Sequence, residues 1–96
     1  MRPSEVFEQN RQFIRDAVAR RRTANPRIFG SVLHGADTDD SDIDILVDTL
    51  PGATLFDLGG LQEELKEHLG VPVQVVTAEE LHRFFKDEVL AEAQPV

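Results

Sequence analysis

Residues 43–47, Ile-Asp-Ile-Leu-Val, constrain the fold of this chain more than any other stretch. The run is β-branched and nearly continuous in apolar character, the pattern of a buried central strand. At 96 residues one domain is expected, burying roughly 65% of its unfolded-chain surface. A single modest core must therefore be assembled around this strand, and the flanking signals supply its partners. Ser4 can cap a helix running to about Arg22. Phe7, Phe13/Ile14 and Ala17/Val18 form its apolar stripe, and Arg20–Arg22 suit the negative end of its dipole. Asn25-Pro26 would end it. Arg27–Phe29 then reads as a short strand stopped at Gly30-Ser31, with one helical turn to follow.

On the other side of the central run, Pro51-Gly52 is a turn. Thr54 caps a second helix with Leu55, Leu58, Leu61, Leu65 and Leu69 on one face and Gly70 as its stop. Gly59 and Gly60 inside it cost about 1 kcal/mol each, for which close approach to the sheet is a candidate reason. Pro72–Val76 is a third strand. Thr77-Ala78-Glu79-Glu80 is a capping-box pattern opening a last helix, with Leu81, Phe84/Phe85 and Val89 facing inward. The order α-β-β-α-β-α predicts an α+β fold: two layers, a small mixed β-sheet with helices packed on one face. With no repeat and no long linker, residues 1–96 read as one unit.

At 41% hydrophobic and 29% charged residues the composition is globular. The absence of cysteine excludes disulfides and thiolate chemistry and makes a cytoplasmic setting the natural expectation. No apolar run approaches the ~20 residues of a membrane span. The net charge of −8 argues against a generic nucleic-acid coat, yet it is unevenly distributed. Residues 1–27 hold seven arginines against three acids, a net of +4; residues 28–96 hold Lys66, Arg83 and Lys86 against fifteen acids, a net of −12. The arginines read first as a solvated helix face, and second as a surface for an acidic partner or RNA.

Six of the acids fall between Asp37 and Asp48, and their spacing is informative. Asp42 and Asp44 sit two apart at the mouth of the strand, so both side chains leave the same face with Cα atoms roughly 6.5–7 Å apart. Two carboxylates converging to ~5 Å would repel by about 3 kcal/mol at an effective dielectric near 20, and a divalent cation between them reverses the sign. Carboxylate oxygens with open water positions suit Mg²⁺ or Mn²⁺ shared with substrate phosphates. Gly30-Ser31 supplies the complement: a glycine between strand and helical turn lets backbone N–H groups face an anion, and Ser31 adds a hydroxyl. An EF-hand register starting at Asp37 fails, because Asp42 falls where glycine is needed and Asp48 where a bidentate Glu is expected. Asp48 itself reads as a strand-ending turn former, His34 as a loop histidine, and His68 and His82 as helix-surface residues.

Gly30-Ser31, ten residues, then Asp42-Ile43-Asp44 resembles the signature of the DNA polymerase β-like nucleotidyltransferases. More narrowly, residues 5–95 resemble a minimal nucleotidyltransferase (MNT) domain. Ser41–Asp48, Leu55-Phe56-Asp57-Leu58, Leu69-Gly70 and Val89–Ala93 follow in the family's order. The resemblance implies metal-dependent transfer of a nucleoside monophosphate, AMP from ATP or its equivalent from another NTP, to a hydroxyl, with Mg²⁺ or Mn²⁺ as cofactor. It assigns Asp42 and Asp44 as catalytic metal ligands and Gly30 and Ser31 as nucleotide-binding residues. It also implies an antitoxin paired with a HEPN-domain protein, neutralised by nucleotide transfer or by binding, while homo-oligomerisation stays open. Two departures stand out. The family's third carboxylate on a later strand is Gln74 here, in Val73-Gln74-Val75-Val76, and the arginines common after the Gly-Ser pair are replaced by Val32-Leu33-His34-Gly35-Ala36-Asp37. Gln74 makes a catalytically impaired binding module the alternative. A third reading is a detached domain that complements a larger nucleotidyltransferase or binds nucleic acid through the Arg-rich helix.

Overall fold

The computed structural model describes all 96 residues. The first helical segment is two helices, α1 (Pro3–Gln9) and α2 (Arg11–Ala19), rather than one. Asn10 breaks it: its backbone leaves the helical region (φ −123°, ψ 17°), and its side-chain amide donates to the Val6 carbonyl at 2.8 Å. Asparagine competes with helix hydrogen bonds in this way. Pro3 occupies the first turn of α1, where its missing N–H costs nothing. Ser4 is therefore inside the helix, and its exposed backbone N–H is satisfied from a distance by the Asp37 carboxylate (2.9 Å).

Strand β1 (Thr23–Phe29) begins earlier than the sequence predicts. Asn25-Pro26 does not end an element but sits within a shift of register between Ala24 and Arg27. Asn25 takes φ 54° there, a conformation asparagine tolerates better than most residues. After the turn α3 (Gly30–His34), β2 (Ile43–Thr49) runs antiparallel to β1. Helix α4 (Leu55–Leu69) then crosses over to β3 (Val73–Val76), which lies parallel to β2. A two-residue β4 (Gln94–Pro95) completes the mixed sheet, in the order β3-β2-β1-β4.

Strand β2 is central, as its composition predicts. Ile43, Ile45 and Val47 are buried with Ile28, Val73 and Val75 against Phe7, Ile14, Val18, Leu61 and Leu65 of the helices. Each such side chain contributes about 1.5–3 kcal/mol on burial. Thr54 caps helix α4 as predicted, and the structure adds a full capping box, Asp57 and Thr54 bonded reciprocally; the predicted stop, Gly70, is left-handed (φ 70°). Leu55 departs from the expected apolar face: it is 83% exposed, as is Phe56 at 90%. Gly60 faces a neighbouring side chain rather than the sheet. A Cβ there would strike the Arg21 guanidinium, whose Nε donates to Glu64 at 3.0 Å. Gly59 faces open space.

The Thr77 box closes only a single 3-10 turn, Ala78–Glu80. The last helix, α5 (Arg83–Glu92), starts afterwards, capped by His82 through Nδ1, which accepts from the Phe84 N–H at 3.2 Å. No α5 residue is buried. Phe84 is 73% exposed and Phe85 59%, so the inward-facing helix expected from Leu81, Phe84, Phe85 and Val89 is corrected.

All seven N-terminal arginines turn back onto the protein. Arg11 pairs with Glu8, Arg20 and Arg21 share Glu64, Arg27 meets Asp48, and Arg2 meets Asp37. Arg15 donates to the Val96 carbonyl and Arg22 to that of Gly52. Five of the seven pair with carboxylates, four of them with acids beyond residue 27, so much of the segment's charge is offset locally.

Candidate nucleotide and metal site

The sheet brings three side chains into one row. Phe29 of β1 pairs with Asp44 of β2, and Asp44 pairs with Gln74 of β3. Paired residues of adjacent strands share a face, so Phe29, Asp44 and Gln74 stand side by side. Asp42 lies two residues before Asp44 at the exposed mouth of β2.

Gly30 closes the row from the end of β1. It takes φ 76°, in the left-handed region that side chains disfavour. A Cβ built on it would collide with Oδ2 of Asp44. Two separate constraints thus demand glycine here, and both bring the start of α3 against the Asp44 carboxylate. Ser31 follows in the first turn of α3 and is half-buried. The fold thus brings the Gly-Ser turn, distant in sequence, against Asp44 of the acid pair.

Asp44 is strained electrostatically. Its pKa is pushed up to about 6, first by burial and then by the negative charge of Asp42. The remaining acids of the cluster do other work. Asp37 is buried, accepting from the Ser4 N–H and pairing with Arg2 at 3.0 Å. These contacts, the Ser4 bond foremost, hold its carboxyl below the usual range. Asp48 accepts from Arg27 at 2.5 Å and from Asn25 at 3.1 Å, at the far end of β2. Thr38 and Ser41 tie the loop before Asp42, the Thr38 N–H donating to the Ser41 hydroxyl at 2.8 Å. No three His, Cys, Asp or Glu side chains converge anywhere to hold a metal.

Residues 11–96 match the model of the nucleotidyltransferase domain family. The chain belongs to that family. A candidate protein adenylyltransferase of Methanocaldococcus jannaschii is 45% identical over 69 residues, which cover 72% of this chain and 74% of the relative. A solved candidate minimal nucleotidyltransferase is 35% identical with a TM-score of 0.85, covering 97% of this chain and 95% of its own. Two toxin–antitoxin crystal structures share the fold at lower identity. One, with AMP-PNP, has 20% identity and a TM-score of 0.75, covering 90% of this chain and 71% of that one. The other, an MntA–HpeT complex, has 19% identity and a TM-score of 0.70, covering 91% and 70%.

A nucleotidyltransferase domain implies a divalent cation, and the donor set here fits one. Two hard carboxylates leave one strand face, one of them destabilised by the other, and a cation between them relieves that repulsion. Two features of the row escape sequence reading. Phe29 precedes the Gly-Ser pair but carries no local mark of its place beside Asp44. His34, read as an idle loop residue, reaches across to Glu92 of α5, Nε2 to Oε2 2.9 Å; nothing local announces a partner 58 residues away.

Proposed function

We propose that this nucleotidyltransferase domain transfers AMP from ATP to a hydroxyl of a partner protein, acting as the antitoxin of a HEPN-type toxin. The observation that carries the reading is the contact of Gly30 with Asp44, which joins an anion-facing turn to a carboxylate pair. The 45% identity to a candidate protein adenylyltransferase supports AMP and a protein acceptor. The fold shared with toxin–antitoxin complexes supports the partner class.

In this reading Asp42 and Asp44 hold Mg²⁺ or Mn²⁺. A cation held there would supply charge neutralisation for the triphosphate and for the departing pyrophosphate. Gly30 and Ser31 present backbone N–H groups and one hydroxyl to the phosphates, orienting the α-phosphorus toward the acceptor. The acceptor oxygen forms its bond to that phosphorus as the bond to pyrophosphate breaks. The hydroxyl proton must go to water or to the phosphates, because the amide of Gln74 beside Asp44 cannot accept it as a base.

The decisive experiment incubates the protein with labelled ATP, Mg²⁺ and a HEPN-domain partner. Label should appear on the partner with wild type and vanish with Asp42→Ala. No transfer by wild type, or equal transfer by the variant, sinks the enzymatic reading. Gln74 favours a second reading, a module that neutralises its partner by contact alone. Under it, Asp42→Asn/Asp44→Asn protein still protects cells from the toxin, and Gln74→Asp produces a large gain in transfer.

A further inference from the structure

Beside the carboxylate row lies a cavity of about 350 Å³, within the ~300–1,000 Å³ range of small-ligand sites. Phe29 and Gly30 form one wall; Leu81, His82, Phe85 and Val89 form the other. Gly30 lines it and also abuts the Asp44 carboxylate, so the cavity adjoins the acid pair. It opens on the β1 side of Asp44, opposite Gln74.

Resting on the nucleotide-transfer reading above, we propose that this cavity is the base subsite, and that it selects an amino-bearing purine. Three features fit that occupant. Phe85 lines the cavity yet is 59% exposed, an aromatic face for a ring to stack on. His82 spends Nδ1 as acceptor in capping α5, which fixes its hydrogen on Nε2 and leaves a donor for a purine ring nitrogen. Two carboxylates stand at the rim, Glu88 and Glu92. Glu92 is taken by His34, whereas no hydrogen bond or ion pair occupies Glu88, leaving it to accept from an exocyclic amino group. Uracil, a smaller ring with carbonyls flanking its one ring N–H, meets that carboxylate unfavourably.

Calorimetric titration of the full chain in Mg²⁺ with ATP, UTP and inorganic tripolyphosphate tests this directly. ATP should bind about tenfold tighter than tripolyphosphate, with UTP close to tripolyphosphate. Phe85→Ala should reduce ATP to the tripolyphosphate level without changing tripolyphosphate, and Phe85→Trp should restore it. Glu88→Gln should narrow the ATP-to-UTP ratio. Phe56→Ala removes an exposed ring on α4 outside the cavity and should leave every affinity intact. Equal binding of all three ligands overturns the base subsite while leaving the triphosphate site standing. No binding by any of them overturns both.

Discussion

Replacing Asp44 with asparagine should make the metal-free protein more stable while destroying its site. The Asp44 pKa rises from 3.8 to about 6 through burial and the Asp42 charge. Two units at about 1.4 kcal/mol each set an upper bound of ~3 kcal/mol on the cost of ionising it in the fold. Asp44 is only partly buried, and solvent screening reduces the figure to about 1–2 kcal/mol. The sign follows from linkage. Because the folded pKa is raised, the favourable contribution is complete below pH ~4 and is lost as pH rises to ~6. Asp44→Asn removes that loss, so the variant should melt about 4–10 °C above wild type at pH 7 in EDTA. The gap should close as the pH falls from 6 to 4. Mg²⁺ should raise the melting temperature of wild type and leave the variant unmoved. Thermal melts across pH 4–7, with EDTA and with Mg²⁺, measure all of this. A variant no more stable than wild type at pH 7 in EDTA would refute the claim that Asp44 bears unrelieved charge.

Other substitutions test the frame around that carboxylate. Gly30→Ala forces a side chain into a left-handed backbone at about 1–2 kcal/mol and against Asp44. Calorimetry should therefore show tripolyphosphate binding lost even where circular dichroism shows the fold retained. Asp37→Ala removes the acceptor that the Ser4 N–H and Arg2 share, and its melting temperature should fall by several degrees. The Asp37 pKa is held low, so its contribution is present above pH ~4 and lost on acidification. Melts of this variant and wild type should accordingly converge below the folded pKa of Asp37, and a constant difference down to pH 2 would contradict it.

What the sequence disclosed was mostly local chemistry. The apolar run at β2, the Thr54 cap and Gly70 around α4, and the glycine turn after Phe29 each announce themselves within a few residues, and each stands where expected. Failures occur where a distant contact decides. The apolar stripe of the first helix continues past Asn10 and masks the break that its side-chain bond to the Val6 carbonyl makes. Asn25-Pro26 is a helix-ending signal that a strand absorbs through a shift of register. Phe84 and Phe85 have the spacing of a core-facing helix, yet periodicity cannot say that the core is already filled by α1, α2 and α4. Asp37 is indistinguishable in sequence from Asp39 and Asp40; Arg2 and Ser4 alone make it a buried anchor.

The row Phe29–Asp44–Gln74 turns the missing acid into a question of position. Parallel pairing sets Gln74 directly beside Asp44, so an aspartate there would join two carboxylates already in conflict. Without a metal, that third charge would raise the strain further, whereas glutamine keeps a polar group of similar shape and adds none. Glutamine thus avoids that repulsion and, under the transfer reading, offers no base for the acceptor hydroxyl. General-base catalysis is typically worth about 10²–10⁴ in rate, enough to separate a fast transferase from a slow one without abolishing metal or phosphate binding. Under the proposed transfer reading, a chain that keeps Gly30, Asp42 and Asp44 while holding Gln74 should bind nucleotide yet transfer it slowly, and Gln74→Asp should raise the rate by about that factor.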